Sequence, residues 1–157
     1  MKTCISTLLI CFVAAINLHA QIFVPSKKIT YEFLSTLLKG DGYVIKGIGK
    51  NYLSVSKNNH NPINIDISAD RKFIVLNILY GIKQSVESNK VNKLIERINV
   101  LGNIKASVSK QYDIITLEYY FWITDGMSVE NFIAATNMFY NEQFEADTEW
   151  DEESIIQ

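Results

Sequence analysis

Residues 114–123 read IITLEYYFWI, and this stretch decides the fold class because its side chains divide between two faces. Side chains two positions apart lie on the same face of a β-strand. One face is apolar, and the other carries a hydroxyl, a carboxylate and two large aromatic rings: Ile115, Leu117, Tyr119, Phe121 and Ile123 against Thr116, Glu118, Tyr120 and Trp122. The pattern predicts a long strand with one face turned towards a core.

The neighbouring segments predict further strands around this one. Residues 104–109 precede it and are joined to it by a short polar turn, which predicts a hairpin. Residues 72–80, KFIVLNILY, are apolar on both faces except at Asn77, and this predicts a central strand covered on both sides. Three shorter strands, separated by turn-forming residues, are predicted before it at residues 43–48, 52–56 and 63–67.

Three amphipathic helices complete the order of elements. Residues 31–39 follow Thr30 and residues 129–144 follow Ser128, and both preceding residues are favourable N-caps. Residues 89–100 carry apolar side chains at helical spacing, namely Val91, Leu94, Ile95 and Ile98. The order α-β-β-β-β-α-β-β-α has few strands that alternate singly with helices. We therefore expect an α+β fold, with a mainly antiparallel sheet of about six strands and its three helices packed on one face.

Residues 1–20, MKTCISTLLICFVAAINLHA, have the composition of a signal peptide. One basic residue, Lys2, precedes an apolar run at residues 5–16, which is shorter than the roughly 20 residues needed to span a bilayer. Ala20 provides a small residue at the expected cleavage site. We expect export to the periplasm or the extracellular space, with no integral membrane segment after cleavage. An uncleaved N-terminal anchor is the alternative.

The charge along the chain is strongly uneven. Residues 21–110 hold 14 basic and 6 acidic side chains, a formal charge of +8, whereas residues 111–157 hold 11 acidic and no basic ones, a charge of −11. A nucleic-acid-binding protein is expected to lack this acidic counterweight, so no nucleic-acid partner is predicted. The charge boundary falls in the predicted hairpin, so residues 21–144 are predicted to form a single domain. An acidic tail at residues 145–157 follows it and is expected to fray.

The residue types of metal and nucleophilic sites are nearly absent after the leader. Cys4 and Cys11 lie within it, so the mature chain has no cysteine, and His60 is its one histidine. This excludes a zinc site of the usual kind and a thiolate nucleophile. His60 lies in an Asn-rich turn and is interpreted as a solvated loop residue. We therefore predict a protein that is not an enzyme, with no catalytic residue, no metal and no cofactor.

Two alternatives remain open at this point. A small hydrolase could use paired carboxylates such as Glu118 and Asp125, provided that they lie roughly 5–10 Å apart in a cleft. A pocket for a small apolar ligand could instead lie between the sheet and the helices.

Several short sequence stretches within residues 28–144, taken in their order along the chain, resemble those of a known protein family. They are ITYEF at 29–33, LL at 37–38, GYV at 42–44, VNKLIERIN at 91–99, the strand at 114–121 and MSVENF at 127–132. In these stretches the chain resembles the YbjN family, proposed bacterial sensory-transduction regulators with a fold similar to type III secretion chaperones. The resemblance implies a chaperone-like α+β fold and a non-enzymatic protein-binding or regulatory module. The family has no agreed catalytic residues, so the resemblance implies none here.

The candidate contact surface is the second face of the strand at residues 114–123. Tyr120 and Trp122 lie on it, and the pattern places Tyr80 near them. Aromatic side chains are enriched in the cores of protein interfaces. If a helix covers this face, the three residues belong to the core. If the face is open, they predict contact with a protein partner, either in a homodimer or by capture of an extended segment.

Overall fold

An antiparallel sheet of six strands forms the centre of the structure, a computed structural model that describes residues 22–58, 60–109, 111 and 113–157. The strands in chain order are β1 (Phe23–Val24), β2 (Val44–Gly49), β3 (Tyr52–Ser56), β4 (Ile63–Ile67), β5 (Phe73–Gly81), β6 (Lys105–Ser109), β7 (Ile114–Trp122) and β8 (Met127–Ser128). The helices are α1 (Tyr31–Gly40), α2 (Ser88–Leu101) and α3 (Val129–Glu145), with short 3-10 and π-helical turns at Ser26–Lys28 and Ala146–Trp150.

The sheet has the strand order β2-β3-β4-β5-β7-β6, and every neighbouring pair is antiparallel. The chain meanders from β2 to β5, crosses through α2 to the edge strand β6, and returns through β7 beside β5. A bulge between Ile45 and Gly47 interrupts the pairing of β2 with β3, at the opposite edge. A separate two-stranded ribbon joins β1 to β8. The predicted α+β fold, with about six strands and three helices in this order, is confirmed.

Local sequence explains where α1 and α3 begin. The Thr30 hydroxyl accepts a hydrogen bond from the backbone N–H of Phe33 at 3.2 Å, and the Ser128 hydroxyl accepts one from Asn131 at 3.3 Å. Each bond satisfies one of the backbone donors that the first turn of a helix leaves free. After α1, Gly42 adopts a positive φ of 86°, which reverses the chain into β2.

All three helices pack on the same face of the sheet. The strand residues that line this face are buried and recur at every second position: Leu53, Val55, Ile63, Ile65, Ile74, Leu76, Ile78, Ile115 and Leu117. The helices cover them with Leu34, Leu38, Leu94, Ile98, Phe132 and Phe139. Burying one large apolar side chain contributes about 1.5–3 kcal/mol to stability. This layer is therefore the core that positions the rest of the molecule.

The opposite face of β5 is open. Ile74, Leu76 and Ile78 face the helices, but Phe73 is only half-buried and Leu79 is 51% exposed. The prediction that β5 is covered on both sides is therefore wrong. Its outward apolar side chains do not lie under a described helix, and Phe73 packs sideways against aromatic rings of β7 instead.

The end of the chain returns to the sheet rather than fraying. Residues 151–157, called the strap below, run beside the end of β5, and Ile155 and Ile156 are 3% and 5% exposed. Glu152 and Glu153 form ion pairs with Arg97 and Lys90 of α2. The expectation of a frayed acidic tail is wrong because Ile155 and Ile156 are buried against the sheet, and the acidic side chains before them meet basic residues of α2.

The predicted signal peptide at residues 1–20 lies outside the described residues. None of the described helices is both long enough and apolar enough to cross a membrane.

Candidate partner-binding face

The face of the sheet that the helices leave uncovered is built mainly by β4, β5 and β7, and is called the open face below. Cross-strand pairing arranges its side chains in rows. The rows are Phe73 with Trp122; Asp66, Val75 and Tyr120; Asn64, Asn77 and Glu118; and Leu79 with Thr116. The open face is therefore aromatic at one end and polar in its middle.

The aromatic end consists of Phe73, Tyr120 and Trp122, called the aromatic triad below. The Phe73 ring lies edge-on to Tyr120 at 5.4 Å and to Trp122 at 5.8 Å between ring centroids. Trp122 is nevertheless 68% exposed and Tyr120 is 40% exposed. The predicted pair, Tyr120 and Trp122, thus lies together on a surface that solvent reaches. No local pattern in the sequence indicates Phe73 as their neighbour, because only the register of β5 against β7 places it beside them.

The polar middle carries two carboxylates. The Asn77 amide donates a hydrogen bond to Asp66 Oδ2 at 2.8 Å, and the Tyr120 hydroxyl donates one to Glu118 Oε2 at 3.1 Å. Burial, followed by the hydrogen bond to the Glu118 carboxylate, raises the pKa of Tyr120. Among the described residues neither Asp66 nor Glu118 forms an ion pair. Both carboxylates therefore retain acceptor capacity for a cationic group.

Tyr80, the third predicted contact residue, lies on the covered face and is 2% exposed. Its hydroxyl donates a hydrogen bond to the side-chain oxygen of Gln143 in α3. Burial, with a smaller contribution from Asp147, raises the pKa of this phenol. In the register Tyr80 pairs with Ile115, so even-numbered residues of β5 share a face with odd-numbered residues of β7. The prediction that Tyr80 joins Tyr120 and Trp122 on one surface is therefore wrong.

The carboxylates of the hydrolase alternative do not face each other. Glu118 lies in the middle of β7, four strand residues or roughly 13 Å from its end, and Asp125 lies in the turn beyond. Neither residue lines the best-formed surface cavities among the described residues. The same part of the chain also holds no group of three or more His, Cys, Asp or Glu side chains arranged to bind a metal ion.

His60 packs against aromatic rings of α3 instead of standing free in its loop. Its ring lies edge-on to Tyr140 at 5.6 Å and to Phe144 at 5.0 Å. The interpretation of His60 as a solvated loop residue is therefore wrong. The contacts come from residues about 80 positions away, and no local pattern signals them.

A polar cluster nearby joins α1, β3 and α3. Asp41 Oδ2 accepts hydrogen bonds from the Asn137 amide at 2.9 Å and the Lys57 ammonium at 3.2 Å, and the Tyr43 hydroxyl donates to Asn137 Oδ1 at 2.9 Å. The hydrogen bond from Asn137, assisted by Lys57, lowers the pKa of Asp41. Burial and the Asp41 charge raise the pKa of Tyr43. Because every polar group here has a partner within the protein, the cluster is a structural connection.

Comparison with known proteins defines the fold. No family model and no curated protein sequence matches the chain. Among solved structures, it is similar to YbjN from E. coli, described as a proposed transcription regulator. That match has a TM-score of 0.69 and 13% identity, and it covers 82% of this chain and 96% of that one. It is also similar to an uncharacterised protein from Methanothermobacter thermautotrophicus, with a TM-score of 0.59, 10% identity and coverage of 80% and 99%. The order of the elements, the one-sided packing of the helices and these two similarities together give the chain a YbjN-like fold.

Proposed function

We propose that the chain is an exported, non-enzymatic protein-binding or regulatory module that recognises its partner through the open face. The observation that carries the proposal is the exposure of Trp122 and Tyr120 on a sheet face that no described helix covers. Exposed aromatic groups of this size are unusual on a surface that contacts only water, and they are frequent where proteins bind one another. The similarity to a structure described as a proposed transcription regulator supports a regulatory role.

The charge of the open face indicates the chemistry of the partner. Within the described part of the chain, Asp66 and Glu118 lie beside the aromatic triad without an ion pair, and Lys105, the cross-strand neighbour of Glu118, does not form one with it. An Arg or Lys side chain of a partner would gain both a carboxylate and an aromatic ring as neighbours. We therefore infer that the partner presents a basic side chain next to apolar ones.

The leader at residues 1–20 supports the cell envelope or the extracellular space as the place where the partner is met. Its removal is checked by N-terminal sequencing of the protein recovered after expression. We expect the chain to begin at Gln21. An intact Met1 on the exported protein contradicts cleavage.

The experiment that tests the proposed function is an affinity capture from envelope extracts with three matched baits. They are the wild-type chain, a Tyr120→Ala/Trp122→Ala variant and a Val100→Ala variant, since Val100 is exposed on α2 away from the sheet. We expect one or more proteins to be captured by the wild type and by Val100→Ala but lost with the double variant. The same set of captured proteins for all three baits contradicts the role of the open face.

Two further measurements separate the kinds of partner. Asp66→Asn/Glu118→Gln should weaken the capture and reduce its dependence on salt concentration, because it removes the charges but keeps the aromatic triad. Light scattering of the purified chain tests the homodimer. A doubled mass that Trp122→Ala returns to the monomer value assigns the open face to self-association instead of to a different protein.

A further inference from the structure

Residues 155–157 of the strap pair with the end of β5, after a turn at residues 151–154. The backbone N–H of Lys83 donates to the Ile155 carbonyl at 2.9 Å, and the N–H of Gln157 donates to the Gly81 carbonyl at 3.0 Å. Ile82 and Ile156 form an antiparallel bridge between these two bonds. Backbone hydrogen bonds of this kind do not depend on which side chains the added segment carries. The end of β5 therefore provides an edge that accepts an extended segment.

Side chains make this edge selective. The strap lies between the end of β5 and α2, in what is called the groove below. Ile155 and Ile156 are both buried, so the groove accepts two consecutive aliphatic residues. Before them in the strap, Glu152 and Glu153 pair with Arg97 and Lys90 of α2. The segment that fits the groove thus has acidic residues first and aliphatic residues second.

The basic side of the groove includes Lys93 in addition to Lys90 and Arg97, the two residues that form ion pairs with the strap. Lys90, Lys93 and Arg97 are spaced by three and four positions, so they project from one side of α2. A cavity of about 160 Å³ remains between α2 and the strap, and Lys93 and Trp150 contribute to its wall. The strap therefore occupies the groove without filling it.

Three features of the strap favour its detachment from the groove. Its two ion pairs are largely exposed to solvent, where such pairs contribute little. Ser154 has a positive φ of 51°, a region that non-glycine residues seldom adopt. The preceding turn at Ala146–Trp150 is π-helical, a conformation that is rare and frequent at functional sites. The strap is therefore held mainly by its two buried isoleucines and by its backbone hydrogen bonds to Gly81 and Lys83. The Asp151 carboxylate accepts the backbone N–H groups of Ile155 and Ile156 at 2.8 and 2.7 Å, so it stabilises the conformation of the strap itself.

We propose that this groove is a second peptide-binding site, and that the strap is its internal competitor. The ligand is a segment of a partner protein in which acidic residues in a turn precede two aliphatic residues in an extended conformation. It displaces the strap, adds to the end of β5 through the same backbone bonds, and places its carboxylates on Lys90, Lys93 and Arg97. The site is separate from the open face and does not depend on the function proposed for that face.

Competition by the strap gives the proposal a quantitative signature. A tethered segment acts at an effective concentration in the millimolar range, so a free peptide binds the intact chain weakly. Weakening the strap while keeping the groove must therefore tighten the binding of a free peptide. Weakening the groove must weaken that binding, whatever the state of the strap.

The test uses a fluorescently labelled peptide with the strap sequence, DEESIIQ, and measures anisotropy against the full chain. In the Glu152→Gln/Glu153→Gln variant, which keeps both isoleucines, we expect about threefold tighter binding than in the wild type, because the two lost ion pairs are exposed to solvent. Adding Lys90→Gln and Arg97→Gln to that variant should return the affinity to the wild-type value or below. The same affinity in all three proteins, or no binding to any of them, overturns the proposal.

Controls separate this mechanism from unfolding and from self-association. A peptide with Gln in place of its three acidic residues should bind at least tenfold more weakly, and Trp122→Ala in the chain should leave binding unchanged. Thermal unfolding checks that each variant is folded, and Ile156→Ala provides a second way to weaken the strap if the charge variant is unfolded. A doubled mass in light scattering of the strap-weakened variant would mean that copies exchange straps, and would overturn the assignment to a different protein.

Discussion

The two faces of β5 differ much less in composition than in burial. The covered face presents Ile74, Leu76, Ile78 and Tyr80, and the open face presents Phe73, Val75, Asn77 and Leu79. All four residues of the covered face are buried, whereas none of the other four is. Apolar character therefore does not determine which face of a strand becomes the core. The helices determine it, because their apolar stripes cover one side only.

Truncating one leucine on each face is expected to give the largest difference in the free energy of unfolding. Leu117→Ala on the covered face should lower the free energy of unfolding by about 3 kcal/mol, because it leaves a cavity under the helices. Leu79→Ala on the open face should lower it by less than about 1 kcal/mol, since half of that side chain is already in water. Urea unfolding measures both. Similar losses for the two variants would show that the open face is covered in solution.

A second test removes one phenolic hydroxyl from each face. Tyr80→Phe leaves the buried side chain of Gln143 without its hydrogen-bond donor and should cost about 1–3 kcal/mol of unfolding free energy. Tyr120→Phe loses only a bond to the solvent-accessible Glu118 and should cost less than about 0.5 kcal/mol. Thermal unfolding at neutral pH compares the two. A larger loss for Tyr120→Phe contradicts the assignment of faces.

The polar cluster at the edge of the covered layer predicts a dependence on pH. The pKa of Asp41 is lower in the folded chain than in the unfolded chain, where it is about 3.9. Its ionised form therefore stabilises the fold at pH values above about 4, and this contribution is lost as the pH falls through the folded pKa. Asp41→Asn should remove about 1 kcal/mol at neutral pH and flatten the acid side of the stability profile. An unchanged acid profile would mean that the cluster is open in solution.

A small effect on stability is also expected for the most exposed aromatic ring, that of Trp122. Trp122→Ala should change the free energy of unfolding by about 0.5 kcal/mol, because its main aromatic contact is the edge of Phe73. The same variant should lose the captured partner. Binding lost with stability kept would separate the open face from the covered face as a functional surface. A large loss of stability would instead place Trp122 in the core.

Local patterns in the sequence account for much of the fold. The alternation in residues 114–123 identified a strand and assigned each of its side chains to the correct face. Thr30 and Ser128 marked the starts of two helices because a cap acts on the next turn of its own chain. Such signals depend on neighbours in the sequence, and this is why they could be recognised without a structure.

The features that the sequence did not reveal depend on register or on distant charges. The sequence pattern predicts one face for Tyr80 and Trp122 because it does not contain the pairing of β5 with β7, and a shift of one residue in that pairing reverses the face. The sequence does not reveal the ion pairs of the acidic tail because Lys90 and Arg97 lie more than 50 positions before the carboxylates that they meet, Glu153 and Glu152. The contact of Asp41 with Asn137 spans 96 residues, and no local pattern predicts it.

The bulged edge strand β2 also limits how copies of the chain can aggregate. The unpaired backbone of a flat edge strand is a template for fibre growth. At β2 the bulge beside Ile45 distorts that backbone, and the neighbouring Lys46 adds a charge that a docking strand would have to bury. The other edge, β6, is only five residues long and begins with Lys105. With both edges protected in this way, the chain can keep an exposed aromatic surface without the sheet extending into amyloid-like stacks.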